Sequence, residues 1–177
     1  MSKNKTSPSE VLVRSATPAD TPKVLAFLED IWEGGDYLPS VWHEWLQDPL
    51  GRLVVAELEG EPIGTGRLAN LGWGEYWLEG LRVATGYRRN GVAARIQEHL
   101  LAFWEAQAGS SIGYLTHRDQ TAVHKLAQTG GFDERFRVRM MRWDAAEGEH
   151  SFKLCDNLSW ASEALMAWSH FNNLDGR

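Results

Sequence analysis

The 177-residue chain is 43% hydrophobic and 24% charged, enough for one sizeable core and too apolar for a disordered chain. Eighteen Lys and Arg against 24 Asp and Glu leave a net charge of −6, which excludes a nucleic-acid binder relying on overall positive charge. The single cysteine, Cys155, allows no internal disulfide and no zinc framework, and no stretch approaches the roughly 18 apolar residues of a membrane span.

Residues 1–9 are polar and read as a disordered N-terminus without the apolar core of a secretion signal. The expectation is a cytoplasmic protein. Residues 10–15 (EVLVRS) alternate as a first strand, and 20–32 place Val24, Phe27, Leu28 and Ile31 at helical spacing. A shorter helix over 39–47 ends before Asp48-Pro49. Strands follow over 52–58, 63–69 and 75–83, the first two joined by a Glu-Gly-Glu-Pro turn. Residues 91–108 form the clearest helix, with Val92, Ile96, Leu100, Phe103 and Trp104 on one stripe. A buried strand over 111–117, a helix over 119–129 stopped by Gly130-Gly131, and an alternating strand over 134–143 complete the pattern. This order predicts an α/β (α+β) sheet with helices on its faces.

Two motifs are decoys. Gly64 to Ala69 spells the dinucleotide pattern GxGxxA, yet it lies within a strand and not at a strand-to-helix turn. His117-Arg118-Asp119 imitates a kinase catalytic loop, but His124 stands where the metal-binding Asn belongs. The six histidines show no metal-ligand spacing, so no metal is expected.

The informative segment runs from Leu81 to Gln97. It holds four arginines (82, 88, 89 and 95) and no acid, and Gly91 opens the longest helix. The unpartnered amides and positive dipole end of a helix start, with Gly91 allowing close approach and Ala93 keeping the next turn small, fit a pyrophosphate. Arg88-Arg89-Asn90-Gly91-Val92-Ala93 resembles the R/Q-x-x-G-x-G/A motif of the GNAT superfamily of acyl-CoA-dependent N-acetyltransferases. Residues 14–20 (RSATPAD) are similar to that family's opening strand and helix start, 78–83 (LEGLRV) to its fourth strand, and Gly130-Gly131-Phe132 to the Gly-Phe closing its last core helix. The resemblance covers about residues 10–143.

It implies a mixed, mostly antiparallel sheet with helices on both faces, in a domain taken as 10–156 followed by an extension over 157–177. It implies that the amides of Arg88, Arg89, Asn90, Gly91, Val92 and Ala93 hold the pyrophosphate of acetyl-CoA, the cosubstrate. Pantetheine then lies along the fourth strand at the backbone of Leu81 and Val83. An amine attacks the thioester directly. An alkylammonium is only about 0.04% deprotonated at pH 7, so a base must take the proton. Glu79 stands where relatives of the spermidine/spermine type carry their proposed base, and Glu75, on the same face by alternation, is the reserve. The tyrosine that usually protonates the leaving thiolate falls on Ala127, and His124, one turn earlier, is the stand-in.

Between Val24 and Gly51 the chain carries six acids, no Lys or Arg, and Trp32, Tyr37, Trp42 and Trp45. Such a wall suits a cationic or aromatic amine, a small molecule or a peptide, as acceptor. The arginine row Arg135, Arg137 and Arg139 reads as an acceptor-carboxylate or 3′-phosphate contact, or as the solvent face of an edge strand. Two other readings stay open: a CoA-binding module without catalysis, and transfer to a protein N-terminus or lysine. In the C-terminal segment Trp160, Ala164, Trp168 and Phe171 recur on one helix face, which packs on the domain, forms a homodimer contact, or belongs to a longer parent protein.

Overall fold

The computed structural model describes residues 10–31 and 35–137. The chain divides into two units, Met1–Arg135 and Phe136–Arg177, and every element below lies in the first. In chain order these are β1 (Leu12–Ser15), α1 (Thr21–Leu28), α2 (Leu38–Gln47), β2 (Arg52–Leu58), β3 (Glu61–Gly72), β4 (Glu75–Val83), α3 (Val92–Ala106), β5 (Ser111–Gly113) and α4 (Thr121–Thr129). Short 3-10 turns precede α1 and α3. The strands lie in the order β1-β2-β3-β4-β5, antiparallel from β1 to β4, with β4 and β5 parallel. The expected α/β (α+β) architecture is the one the chain adopts.

Alternation along β2 builds both cores. Val54 and Ala56 pack with Ile96 and Leu100 of α3. Leu53 and Val55 point the other way, onto Val24 and Leu28 of α1 and Trp42 and Trp45 of α2. A strand buried on both faces needs the near-continuous apolar run that Leu53–Ala56 supplies. Trp42 is fully buried, and its indole N–H donates to Thr21 Oγ1 at 2.9 Å, which ties α2 to the first turn of α1.

The N-terminal junction is held by charge. Arg14 on β1 donates to both Asp20 oxygens at 2.9 and 2.7 Å and to Glu57 on β2 at 2.7 Å. Asp20 also accepts from the Thr17 amide at 2.7 Å and the Thr17 hydroxyl at 2.8 Å, closing a capping box before α1. Four donors converge on one buried carboxylate. The Arg14 hydrogen bonds lead in holding Asp20 down to about 2.

Several expected elements are shorter. α1 stops at Leu28, where Glu29–Ile31 form a turn; Trp32 is outside the described residues. The expected strand over 111–117 shrinks to Ser111–Gly113, because the chain leaves the β4 edge there. Residues 134–137 are not a strand, and the rest of that expected strand, the closing strand over 151–156, the aromatic terminal helix and residues 1–9 lie outside the described residues.

Asp20 titrates below its unfolded value of 3.8, so its contribution is present above that pH and is lost as pH falls toward about 2. Asp20→Asn therefore lowers unfolding free energy by ~2 kcal/mol at pH 7. Denaturant titrations from neutral to acid pH should show the gap from wild type closing across that window, and a constant gap contradicts the assignment.

Candidate active site

β4 and β5 share three register pairs, Glu75–Ser111, Tyr76–Ile112 and Trp77–Gly113. Beyond Trp77 the two strands part. From Leu78 to Val83, β4 pairs with β3 alone, and its other edge forms one wall of a cleft of about 2110 Å³. That exceeds the roughly 300–1,000 Å³ of an ordinary ligand pocket and suits a long, extended ligand.

A bulge sits at the centre of this wall. Arg67 pairs with Glu79 and Thr65 with Arg82, so Gly66 on β3 faces two residues, Gly80 and Leu81, on β4. Gly80 has φ +64, and a Cβ there would lie 2.6 Å from the Trp45 ring. Only glycine meets both conditions. The extra residue switches the alternation. Leu78 and Leu81, three apart, both pack toward α3, while Glu79 and Arg82 both turn toward α2. The face shared by Glu75, Trp77 and Glu79 therefore ends at Gly80.

The far end of the cleft is the start of α3. Gly91, with φ +80 and ψ 0, is the N-cap, and no side chain caps the helix. The first amides of α3 thus lack both intrahelical and side-chain partners. Arg89 is also left-handed, with φ +65, a conformation a long side chain adopts only when its surroundings enforce it. Left-handed residues alternating with helical ones gather amides into an anion-binding concavity. Arg88, Arg89, Asn90, Gly91, Val92 and Ala93 all line the cleft, as do Leu81, Val83 and Glu79.

Two of the four arginines serve elsewhere. Arg95 reaches back to the Val11 carbonyl at 3.3 Å, and Arg82 binds Asp36 at 2.6 Å and stacks over Tyr37 at 5.5 Å. The carbonyls expected to meet pantetheine also carry side chains: Arg82 donates to Leu81 O at 3.0 Å, and Arg88 Nε to Val83 O at 3.1 Å.

Glu79 is ion-paired across the strands with Arg67, which also binds Asp48 and lies 4.8 Å over the Trp45 ring. Burial alone would raise the Asp48 carboxyl; the Leu50 amide and the Arg67 guanidinium outweigh it and hold Asp48 below its ordinary value. The acidic wall expected from the sequence is therefore partly spent: Asp36 and Asp48 neutralise buried arginines. Trp42 and Trp45 are core residues, and Tyr37 and Trp77 supply the aromatic surface of the cleft. Burial raises the Tyr37 phenol, which stays protonated at neutral pH.

Neither Glu75 nor His124 lines the cleft. Glu75 is exposed at the start of β4, and His124 Nε2 lies 3.3 Å from the His117 carbonyl on the far side of α4 from the cleft-lining Val123 and Leu126. Tyr114, directly after β5, does line it, with its ring edge-on to Phe132 at 5.0 Å. The sequence signal for Tyr114 was only its place at the end of a short apolar strand. Among the described residues no cluster of His, Cys, Asp and Glu is arranged to hold a metal, and no helix is long and apolar enough to cross a membrane.

The model of the Acetyltransferase (GNAT) family matches residues 21–132, more than half of the chain. The chain belongs to the GNAT family. Among curated relatives, this GNAT chain is 37% identical over 113 residues to human "Probable N-acetyltransferase 16", covering 63% of the chain and 31% of the relative. It is 39% identical over 79 residues to the histidine N-acetyltransferase of Oreochromis niloticus, covering 44% of the chain and 23% of the relative. The chain thus spans a third or less of these relatives' length. Among solved structures, the aminoglycoside enzyme AAC(6')-Iy with a CoA bisubstrate analogue superposes with TM-score 0.62 at 21% identity, over 76% of this chain and 99% of that one. The ribosomal-protein-S18-alanine N-acetyltransferase of Escherichia coli gives TM-score 0.62 at 17% identity, over 70% and 78%. These two share the fold.

Replacing Gly80 by Ala brings a Cβ into the Trp45 ring and strains a left-handed residue. The variant should lose ~3 kcal/mol of unfolding free energy. A denaturation midpoint equal to wild type would mean the bulge and Trp45 are not coupled.

Proposed function

We propose that this chain transfers an acetyl group from acetyl-CoA to a primary amine of a small molecule or peptide, by direct attack in a ternary complex. The observation that carries the reading is the uncapped start of α3, opening with Arg88 and Arg89 onto a cleft that runs along the splayed β4 edge. A pyrophosphate suits those amides, and an extended pantetheine arm suits a strand edge that has lost its neighbour. The thioester would then reach the region of Glu79, Tyr37 and Trp77, where an amine meets an anionic and aromatic surface.

Histidine is the first acceptor to test. Two kinds of support converge on it: relatives bear the name histidine N-acetyltransferase, and the aromatic pair Tyr37 and Trp77 suits an imidazole. Glu79, which lines the cleft at the edge of the bulge, is the proposed base, directly or through a water. Arg67 holds its carboxylate in place. Glu75 and His124, both outside the cleft lining, are set aside.

Gly91→Glu would put a side chain and a negative charge where the pyrophosphate sits. Calorimetry on the folded variant should show acetyl-CoA affinity reduced at least about tenfold, and unchanged affinity removes the cradle assignment. Glu79→Gln should lower the rate by about 100-fold near neutral pH, where the acceptor is an ammonium, and by less at high pH, where free amine is abundant. A pH–rate profile of unchanged shape and height would place the base elsewhere.

A further inference from the structure

Cleaving a thioester leaves a negative charge on sulfur, and the side of the cleft away from Glu79 holds one group suited to meet it. We propose that the Tyr114 hydroxyl is the proton donor to the departing sulfur, a role that rests on the acetyl-transfer reading above. Tyr114 follows Gly113, the residue at which β5 leaves β4, so its side chain stands inside the mouth of the splay. A ligand arm lying along β4 from Val83 toward Leu78 passes between that strand and Tyr114.

The ring is fixed and the hydroxyl is not. Phe132 meets the ring edge-on at 73°, and the Phe132 amide donates to the Ala127 carbonyl at 3.0 Å, which seats Phe132 against α4. The hydroxyl donates to the Val123 carbonyl across 3.4 Å, a long bond for an O–H donor. Within α4 that same carbonyl also accepts from the amide four residues on, Ala127. The Tyr114 proton therefore has a weak, shared acceptor and is easily drawn to a developing thiolate. Burial raises the phenol, so it is a donor and not a base at neutral pH.

Other phenols in the cleft are placed differently. Tyr37 sits beside Arg82 on the wall that carries Glu79, the side of the attacking nitrogen. Tyr87 belongs to the turn before the anion cradle and packs against the α3 core.

The step balances. The amine nitrogen bonds to the acyl carbon, the C–S bond breaks, and its electron pair stays on sulfur. The proton shed by nitrogen goes to Glu79 or water. Sulfur takes the Tyr114 phenol proton, and the phenolate regains one from solvent at the open end of the cleft.

The test uses the full chain and Tyr114→Phe, which keeps the ring against Phe132 and deletes only the hydroxyl. With acetyl-CoA and an accepted amine, kcat should fall about 10- to 100-fold while the KM for acetyl-CoA stays within about twofold. A second measurement needs no turnover: the thiol of bound CoA is titrated by its thiolate absorbance. A hydroxyl that donates to sulfur stabilises the thiolate, so the midpoint should rise by about one pH unit in Tyr114→Phe. Difluorotyrosine at position 114 retains the hydroxyl and should keep the wild-type midpoint. Equal midpoints in wild type and Tyr114→Phe, or a difluorotyrosine protein that behaves like Phe, overturn the proposal. A chain that acetylates no amine but shows the midpoint shift refutes the acetyl-transfer reading and still supports the contact between Tyr114 and sulfur.

Discussion

The ring of Trp45 fills the space that a side chain at position 80 would need, and the backbone that this contact admits shapes the cleft. With glycine there, β4 can bulge, and the bulge turns Leu81 and Val83 toward α3 while Glu79 and Arg82 face α2. Without it, strict alternation would send Glu79 and Leu81 to the same side. A carboxylate and an apolar strand edge on opposite faces of one strand give the cleft two chemically distinct walls. Trp45 itself comes from α2, so the helix layer on one face of the sheet governs the ligand surface on the other.

Charge is organised around burial in the same region. Arg67 and Arg82 are largely removed from water, which is tolerable because each is ion-paired with at least one carboxylate and lies over an aromatic ring. Asp36, Asp48 and Glu79 come from segments far apart in sequence, so these pairs also fix how α2 and its flanking loops meet β3 and β4. Arg88 and Arg89 belong to the other class. They stay exposed at the cleft rim, where attraction for an anion is not offset by a buried partner.

Much of this was legible in the residues. The antiparallel run from β2 to β4, both flanking helices and the start of α3 followed from alternation, helical spacing and glycine placement, because each is set by neighbours within a few positions. The cradle at Arg88–Ala93 was legible for the same reason: a helix start and its charge are local. Contacts made at long range were not. Counting Arg95 toward the cradle failed because it reaches back to Val11, and the acidic wall was overcounted because Arg67 and Arg82 claim two of its members. Alternation carried Glu79 correctly but could not reveal the bulge one residue later. The short β5 was hidden by its apolar continuation, Tyr114-Leu115, which goes on into the cleft and not along the sheet. Tyr114 owes its position to Val123 and Phe132, and no spacing rule links the three.

Three register pairs are a slender attachment for β5, and a parallel pair cannot be closed by a tight turn. The strand reaches its place only through the α3 crossover, so this seam closes late and opens early in any local unfolding of the sheet. A ligand lying between the parted strands touches both sides of the seam and binds only when it is formed. Mass action then adds RT ln(1 + [L]/Kd) to the stability of the closed state, about 2.7 kcal/mol at a hundredfold excess over Kd. Resistance to proteolysis at this edge accordingly becomes a gauge of ligand concentration, and a domain starved of ligand is the one most readily degraded.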